Sequence, residues 1–282
     1  MGHIDSDQRL RDESQTAHSH EQKDRDFAIT LAKGLQLLQC FTPESPTLSN
    51  AQLAELTGLS RPTVSRFVYT LCALGCLRQV PDNGRYRLGS AVLSFGHTVL
   101  ATIGLRQVAR PYMHQLADIV QGAVSMGVRD RLGIVYVDTC RSRLVTGTQL
   151  SDIGMKHPML ASSIGRAYLC GSDPKSRERL LNEIRIKTPE VWSRYSEQAF
   201  ASIEQFATLG FCVSFGDIHP TRYAVGVPLS GEVDGEHIVF NCTLHSHQRT
   251  AQEIVSDIGP RLRHMVGQIE SHVCPRLGTE RR

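Results

Sequence analysis

The sequence predicts an α+β protein with a winged helix-turn-helix at its N-terminus, a linker helix, and a larger C-terminal domain on an antiparallel sheet. Three observations carry this. Residues 48–87 read LSNAQLAELTGLSRPTVSRFVYTLCALGCLRQVPDNGRYR, two capped helices across a tight turn and then a hairpin signal. Residues 90–103 hold an apolar stripe at helical spacing. From Ala123 onward, short β-like runs such as VSMGV, GIVYVD and VTGTQL alternate with helical stretches.

The first 26 residues are polar and aperiodic and are read as a disordered tail. A helix over 27–41 follows, with Leu31, Leu35 and Leu38 at helical spacing to complete a three-helix core. Ser49 and Gln52 have capping-box spacing, and Gly58 ends that short helix. Ser60 caps the next helix, whose first turn holds Pro62. Its inner face is Val64, Phe67, Val68, Leu71 and Leu74, and its outer face is Arg61, Thr63, Ser65, Arg66 and Tyr69. An apolar inner face beneath arginine and hydroxyl groups suits a helix that reads a DNA major groove. Asp82-Asn83-Gly84 turns a hairpin, and Arg85 and Arg87 on the return strand are placed for phosphate contact.

Charge follows the same division. Residues 27–88 hold six Lys/Arg against three Asp/Glu, a balance of +3, whereas residues 1–26 balance at −3. The whole chain, 282 residues at net +3, is long enough for two cored domains. No apolar run approaches membrane-spanning length and the polar N-terminus lacks a signal-peptide core, so a cytoplasmic protein is expected. The eight cysteines are scattered without a CxxC pair, which argues for free thiols.

After the linker (89–104), the second domain spans 105–275, with a short tail at 276–282. Its helices are expected over 106–120, 165–170, 175–186, 197–209 and 250–272, and its later strands over 211–215, 224–229 and 237–244. The segments LAKGLQLLQCF, GRYRLGSAVLSFG, HPMLASSIGRAYL and AVGVPLSGEVDGEHIVF, taken with the helix-turn-helix, resemble the IclR family of transcriptional regulators from Phe27 to the end. The resemblance implies a C-terminal effector-binding domain with a GAF-like or profilin-like sheet. It also implies homodimers or homotetramers on palindromic, double-stranded operator DNA and a small organic acid as effector; no cofactor is expected. Departures are visible: Leu160 replaces the family's common His, Arg166 its common Lys, and Gly216-Asp217 a frequent acidic pair, while Ala224 stands where some members carry Cys.

An effector site is expected where Met159–Gly165 leads into a helix, since helix starts attract carboxylates. Ser162 reads either as a cap alone or as part of the site. By resemblance, Ser163 and Ile164 offer backbone N–H groups, Met159 and Ile164 cover the apolar body, and Ser214, Ala224, Asn241 and Thr243 line the cavity. Asn241 and Thr243 share one sheet face, explained by a ligand or equally by solvent. Cys242, His245 and His247 lack tetrahedral metal spacing. Asp138, Cys140, His157 and His219 form no nucleophile–base motif. A ligand-responsive regulator is therefore the leading reading. A small-molecule hydrolase or binding enzyme with an accessory DNA-binding domain, and a constitutive DNA-binding protein whose C-terminal domain only oligomerises, are the alternatives.

Overall fold

The computed structural model describes residues 27–81, 83–143 and 152–277. The expected N-terminal tail, the VTGTQL run, Asp82 and the last five residues lie outside them. The chain divides between Val99 and Leu100 into two compact units.

The first unit orders α1 (Ile29–Gln39), β1 (Leu48–Ser49), α2 (Asn50–Thr57), α3 (Arg61–Ala73), β2 (Leu77–Gln79) and β3 (Arg85–Leu88), and α4 (Ala91–Thr102) runs across the division. The local signals act as expected. Ser49 Oγ accepts from Gln52 N while Gln52 Oε1 accepts from Ser49 N, and Gly58 adopts φ +69° at the end of α2. Ser60 caps α3 through Thr63 N. The three strands pair antiparallel in the order β1-β3-β2, with Gly84 at φ +63° in the wing turn.

The core of this unit is Leu37, Phe41, Leu48, Leu53, Val64, Val68 and Leu77. One expectation is corrected here. Leu31 and Leu35 are more than half exposed, and it is Leu37 and Phe41 that enter the core, with Leu38 packed beside it. The apolar residues of α1 suit more than one helical stripe, and packing against α2 selects among them. Leu74 is likewise exposed, because α3 ends at Ala73 and Gly75 turns the chain away.

The second unit contains α5 (Leu105–Val120), β4 (Ala123–Asp130), β5 (Gly133–Arg141), β6 (Lys156–Pro158), α6 (Ser163–Gly171), α7 (Pro174–Lys187), α8 (Pro189–Leu209), β7 (Cys212–Phe215), β8 (Arg222–Val233) and β9 (Glu236–His245). A last helical stretch follows as α9 (Ala251–Glu253), a π-helical turn (Ile254–Ile258) and α10 (Gly259–Leu277). The six strands form one antiparallel sheet, ordered β6-β5-β4-β9-β8-β7. Strand β6 was not anticipated. Helix α8 begins at Pro189 rather than Glu197, because Pro189 occupies the first helical turn and Val191, Trp192 and Tyr195 pack inward.

Both sheet faces are covered. Val124, Met126, Ile238, Phe240, Cys242 and Leu244 join the core beneath α5 and α10. Ile134, Tyr136 and Val239 join Met159, Leu160, Ile164 and Leu169 beneath α6–α8. A bulge at Met126/Gly127 shifts the register of β5, so Asp138 sits buried against α5. There Arg110 donates to both Asp138 oxygens at 3.0 and 3.2 Å, and Arg106 Nε lies 3.6 Å away.

Candidate DNA-reading face and effector cavity

Helix α3 presents Arg61, Ser65, Arg66 and Tyr69 to solvent, with Thr63 half-buried. Tyr69 is 78% exposed, much for so large a side chain. Thr63 Oγ1 lies 2.8 Å from the capping Ser60 Oγ, and Ser65 Oγ accepts from Asn50 Nδ2 at 3.3 Å, so α2 and the cap orient the two hydroxyls. The two wing arginines part company. Arg85 turns inward, its Nη2 donating to Thr47 O and Gln52 Oε1 at 3.0 Å each, and so braces the capping box. Arg87 is exposed and stands directly across the hairpin from Arg78, also exposed, which no motif had singled out for DNA contact. Like charges paired across strands repel, so an anion beside them relieves a cost already present in the free protein.

In the second unit, Tyr136, His157, Ser162, Ser163, Ser214, Ile218, His219, Arg222, Ala224, Asn241 and Thr243 surround a cavity of about 60 Å³. Five of the seven residues expected at an effector site are among them: Ser163, Ser214, Ala224, Asn241 and Thr243. Met159 and Ile164 do not line it. Both are fully buried behind the loop, packed with Ile134, Tyr136 and Leu160. The correction has a simple cause: at a helix entry only some side chains face outward, and apolar ones turn to the core.

The two readings of Ser162 separate. Its hydroxyl donates to Pro158 O at 2.7 Å and accepts from Gly165 N at 3.0 Å, so it is a fully used cap. Ser163 Oγ, by contrast, is buried and has no hydrogen-bond partner among the described residues. Ser163 N and Ile164 N, in the first turn of α6, have no intrahelical acceptor. Asn241 and Thr243 are buried, which removes the solvent explanation for their polarity. Asn241 Nδ2 donates to Tyr136 Oη at 2.8 Å and Thr243 Oγ1 at 3.2 Å, while its Oδ1 is unpaired.

His157, Tyr136, His219 and Arg222 were missed as cavity residues, since no spacing joins them. His157 lies against Tyr136, the rings tilted by 34° with centroids 4.3 Å apart. Burial, assisted by the Arg222 charge, lowers its pKa to about 4, so it is neutral near pH 7 with an unpaired Nε2. No carboxylate lines the cavity, and Arg222 supplies a positive charge.

Asp138, Cys140, His157 and His219 do not converge. Asp138 and Cys140 face α5, whereas His157 and His219 border the cavity on the opposite sheet face. Cys242 is in the α5-side core, away from the stacked His245 and His247 rings. Among the described residues no helix is long and apolar enough to cross a membrane.

A winged helix-turn-helix followed by a domain whose cavity is bordered by hydroxyl, amide, imidazole and guanidinium groups defines a DNA-binding transcriptional regulator with an effector domain. The chain belongs to the IclR family: residues 30–81 match the IclR helix-turn-helix domain and residues 97–269 match the bacterial transcriptional regulator IclR C-terminal domain. It is 32% identical to the HTH-type transcriptional regulator TsaQ1/TsaQ2 of Comamonas testosteroni, over 86% of this chain and 88% of that protein. A crystal structure of an IclR family transcriptional regulator from Brucella abortus superposes with a TM-score of 0.78 at 39% identity, covering 89% of this chain and 94% of that one. An IclR homolog from Microbacterium hydrocarbonoxydans, crystallised with 4-hydroxybenzoate, shares the fold at TM-score 0.65 and 20% identity, covering 86% and 98%.

Proposed function

We propose that the chain acts in the cytoplasm by binding, not catalysis. It grips double-stranded operator DNA through α3 and the wing, and a small organic acid in the sensor cavity alters that grip. The observation that carries the effector reading is the set of unpaired buried polar atoms, Ser163 Oγ, Asn241 Oδ1 and His157 Nε2, around a cavity free of carboxylates. Buried polar groups in folded proteins are nearly always paired, and a ligand supplies the partners. The ligand carboxylate lies against the α6 N-terminus, taking Ser163 Oγ and the N–H groups of Ser163 and Ile164. Ser214, Ala224, Asn241 and Thr243 contact the remainder. That relatives include a protein crystallised with 4-hydroxybenzoate supports an aromatic acid as the first probe. Coupling between the cavity and the DNA site is expected at about 1–3 kcal/mol.

Ser163→Asp places a negative charge where the carboxylate would sit, and like-charge repulsion in a partly desolvated site is strong. In a thermal-shift screen of 4-hydroxybenzoate and other aromatic and short-chain acids, the variant is expected to lose the wild-type response while still binding operator DNA. A wild-type response would remove the anion from this loop.

Base and phosphate contacts are assigned to Arg61, Thr63, Ser65, Arg66 and Tyr69, with Arg87 and Arg78 on the backbone and Arg85 supporting them from beneath. Arg66→Ala is expected to weaken operator binding by about 1–3 kcal/mol without changing the fold or oligomer. Gel-shift titration with unchanged affinity would exclude Arg66 from the interface.

The working assembly is a homodimer or a pair of dimers, because paired half-sites multiply a short readout. Its support is the exposed apolar surface of α4, Leu93, Phe95 and Val99, and of α1, Leu31 and Leu35. Sedimentation at micromolar concentration is expected to show no monomer; a stable monomer with full operator affinity would refute the assembly.

A further inference from the structure

We propose that Cys170 and Cys212 form a peroxide-responsive dithiol that closes to a disulfide and staples α6 to β7 beside the effector cavity. All seven described cysteines are free thiols. Most of them are placed as ordinary core or surface groups. Cys140 and Cys242 are single buried thiols in the α5-side core, where burial pushes their pKa up to about 11 and about 12. Such thiols are poor nucleophiles because the thiolate, not the thiol, attacks.

Cys170 and Cys212 differ in geometry. Cys170 lies in the last turn of α6 and Cys212 begins β7, and their sulfurs are 3.5 Å apart. A disulfide requires about 2.05 Å, so the two sulfurs need to close by only roughly 1.5 Å. Cys170 is partly exposed and within reach of a small oxidant; Cys212 is buried behind it. Two cations flank the pair. Arg177 of α7 donates to Leu169 O, next to Cys170, and Arg166 of α6 donates to Val213 O, next to Cys212. The S–H of Cys212, with help from Arg177, holds Cys170 below the ordinary thiol range despite burial, while Cys212 is pushed well above it. One thiol is thus prepared to attack and the other to resolve.

The chemistry balances with a hydroperoxide as oxidant. The Cys170 thiolate attacks one peroxide oxygen; an S–O bond forms, the O–O bond breaks, and the departing hydroxide takes a proton to leave as water. Cys212 sulfur then attacks the Cys170 sulfenic acid. An S–S bond forms, the S–O bond breaks, and the hydroxide leaves as a second water with the proton of Cys212. Two thiols are oxidised and one hydrogen peroxide is reduced. In a reducing compartment such a bond is transient, as sensing disulfides are.

The location gives the bond a consequence. Ser214, two residues beyond Cys212, shares its face of β7 and lines the cavity, and Ser163 at the head of α6 lines it as well. The bond therefore ties together two of the elements that line the cavity. Its formation depends on the two sulfurs alone and stands or falls separately from the identity of the effector.

The test uses the full-length protein. Reduced protein is treated with hydrogen peroxide, remaining thiols are blocked with N-ethylmaleimide, and peptides are mapped by mass spectrometry with and without dithiothreitol. The expected result is one intramolecular cross-link, Cys170 to Cys212, reversed by dithiothreitol. Because the bond closes a loop around α7 and α8, the oxidised protein is expected to melt several degrees higher. Cys170→Ser abolishes the cross-link, and Cys212→Ala leaves a sulfenic acid at Cys170 that dimedone labels. A cross-link elsewhere, oxidation of Cys170 without a bond to Cys212, or reactivity of Cys170 no greater than that of Cys140 would each overturn the proposal. The wild-type map decides this even if a variant fails to fold.

Discussion

Arg166→Met is expected to destabilise the sensor domain by several kcal/mol, on the order of 1–3 kcal/mol for each of the two carbonyls that lose a charged donor. Arg166 is buried, and its guanidinium reaches three separate segments. Nε donates to Leu160 O at 2.8 Å, Nη1 donates to Val213 O at 3.0 Å, and Nη2 lies 2.8 Å from Asp217 Oδ2. The last contact is an ion pair whose angle is too poor for a hydrogen bond. One side chain thus holds the loop before α6, strand β7 and the turn after it, three segments that border the cavity. Methionine fills much of the volume but leaves two carbonyls without their donor and a carboxylate without its ion-pair partner. Urea denaturation followed by Trp192 fluorescence reads the change. A loss under 1 kcal/mol would mean that the guanidinium contributes little to holding these segments.

Gly226→Ala is expected to be nearly as costly and to remove ligand binding as well. A Cβ at Gly226 would lie 2.3 Å from Ser163 O, 2.6 Å from Ser163 C and 2.9 Å from Ile164 N. All three are backbone atoms of the first turn of α6, so no side-chain rotation relieves the clash. Overpacking of this kind costs about 1–3 kcal/mol and more where the neighbours are rigid. The helix start must lift off β8, which moves Ser163 and its N–H group away from Asn241 and Thr243. Thermal melting and 4-hydroxybenzoate thermal shift, measured together, separate the two effects. Wild-type values in both would show that α6 is not seated on the glycine.

Much of this was legible in the residues before any packing was known. The capping box at Ser49–Gln52, the Gly58 stop, the Ser60 cap and the wing turn at Gly84 act within a few residues of themselves, so they were read correctly. The alternation of Asn241 and Thr243 with Phe240, Cys242 and Leu244 likewise follows from strand geometry alone. The errors lie where more than one face of an element is apolar. In α1 the choice between Leu35 and Leu37 depends on which side α2 covers. At the α6 entry, Met159 and Ile164 are as apolar as any cavity wall, but the core claims them.

The sequence by itself determined the division into two domains, the winged helix-turn-helix with its polar outer face, and the family, because each rests on local signals and on short motifs at set spacing. Only the tertiary structure decided what shares a cavity. His157, Ser163, Ser214, Arg222 and Asn241 come from five separate segments, brought together where the sheet face meets the start of α6. It also decided that Arg85 braces a capping box while Arg78 and Arg87 stand face to face. The same holds for Cys170 and Cys212, which lie 42 residues apart in the chain and 3.5 Å apart in space. Local hydrogen bonding is written in neighbouring residues, whereas burial, pairing and charge environment depend on contacts between distant ones, which no spacing along the chain encodes.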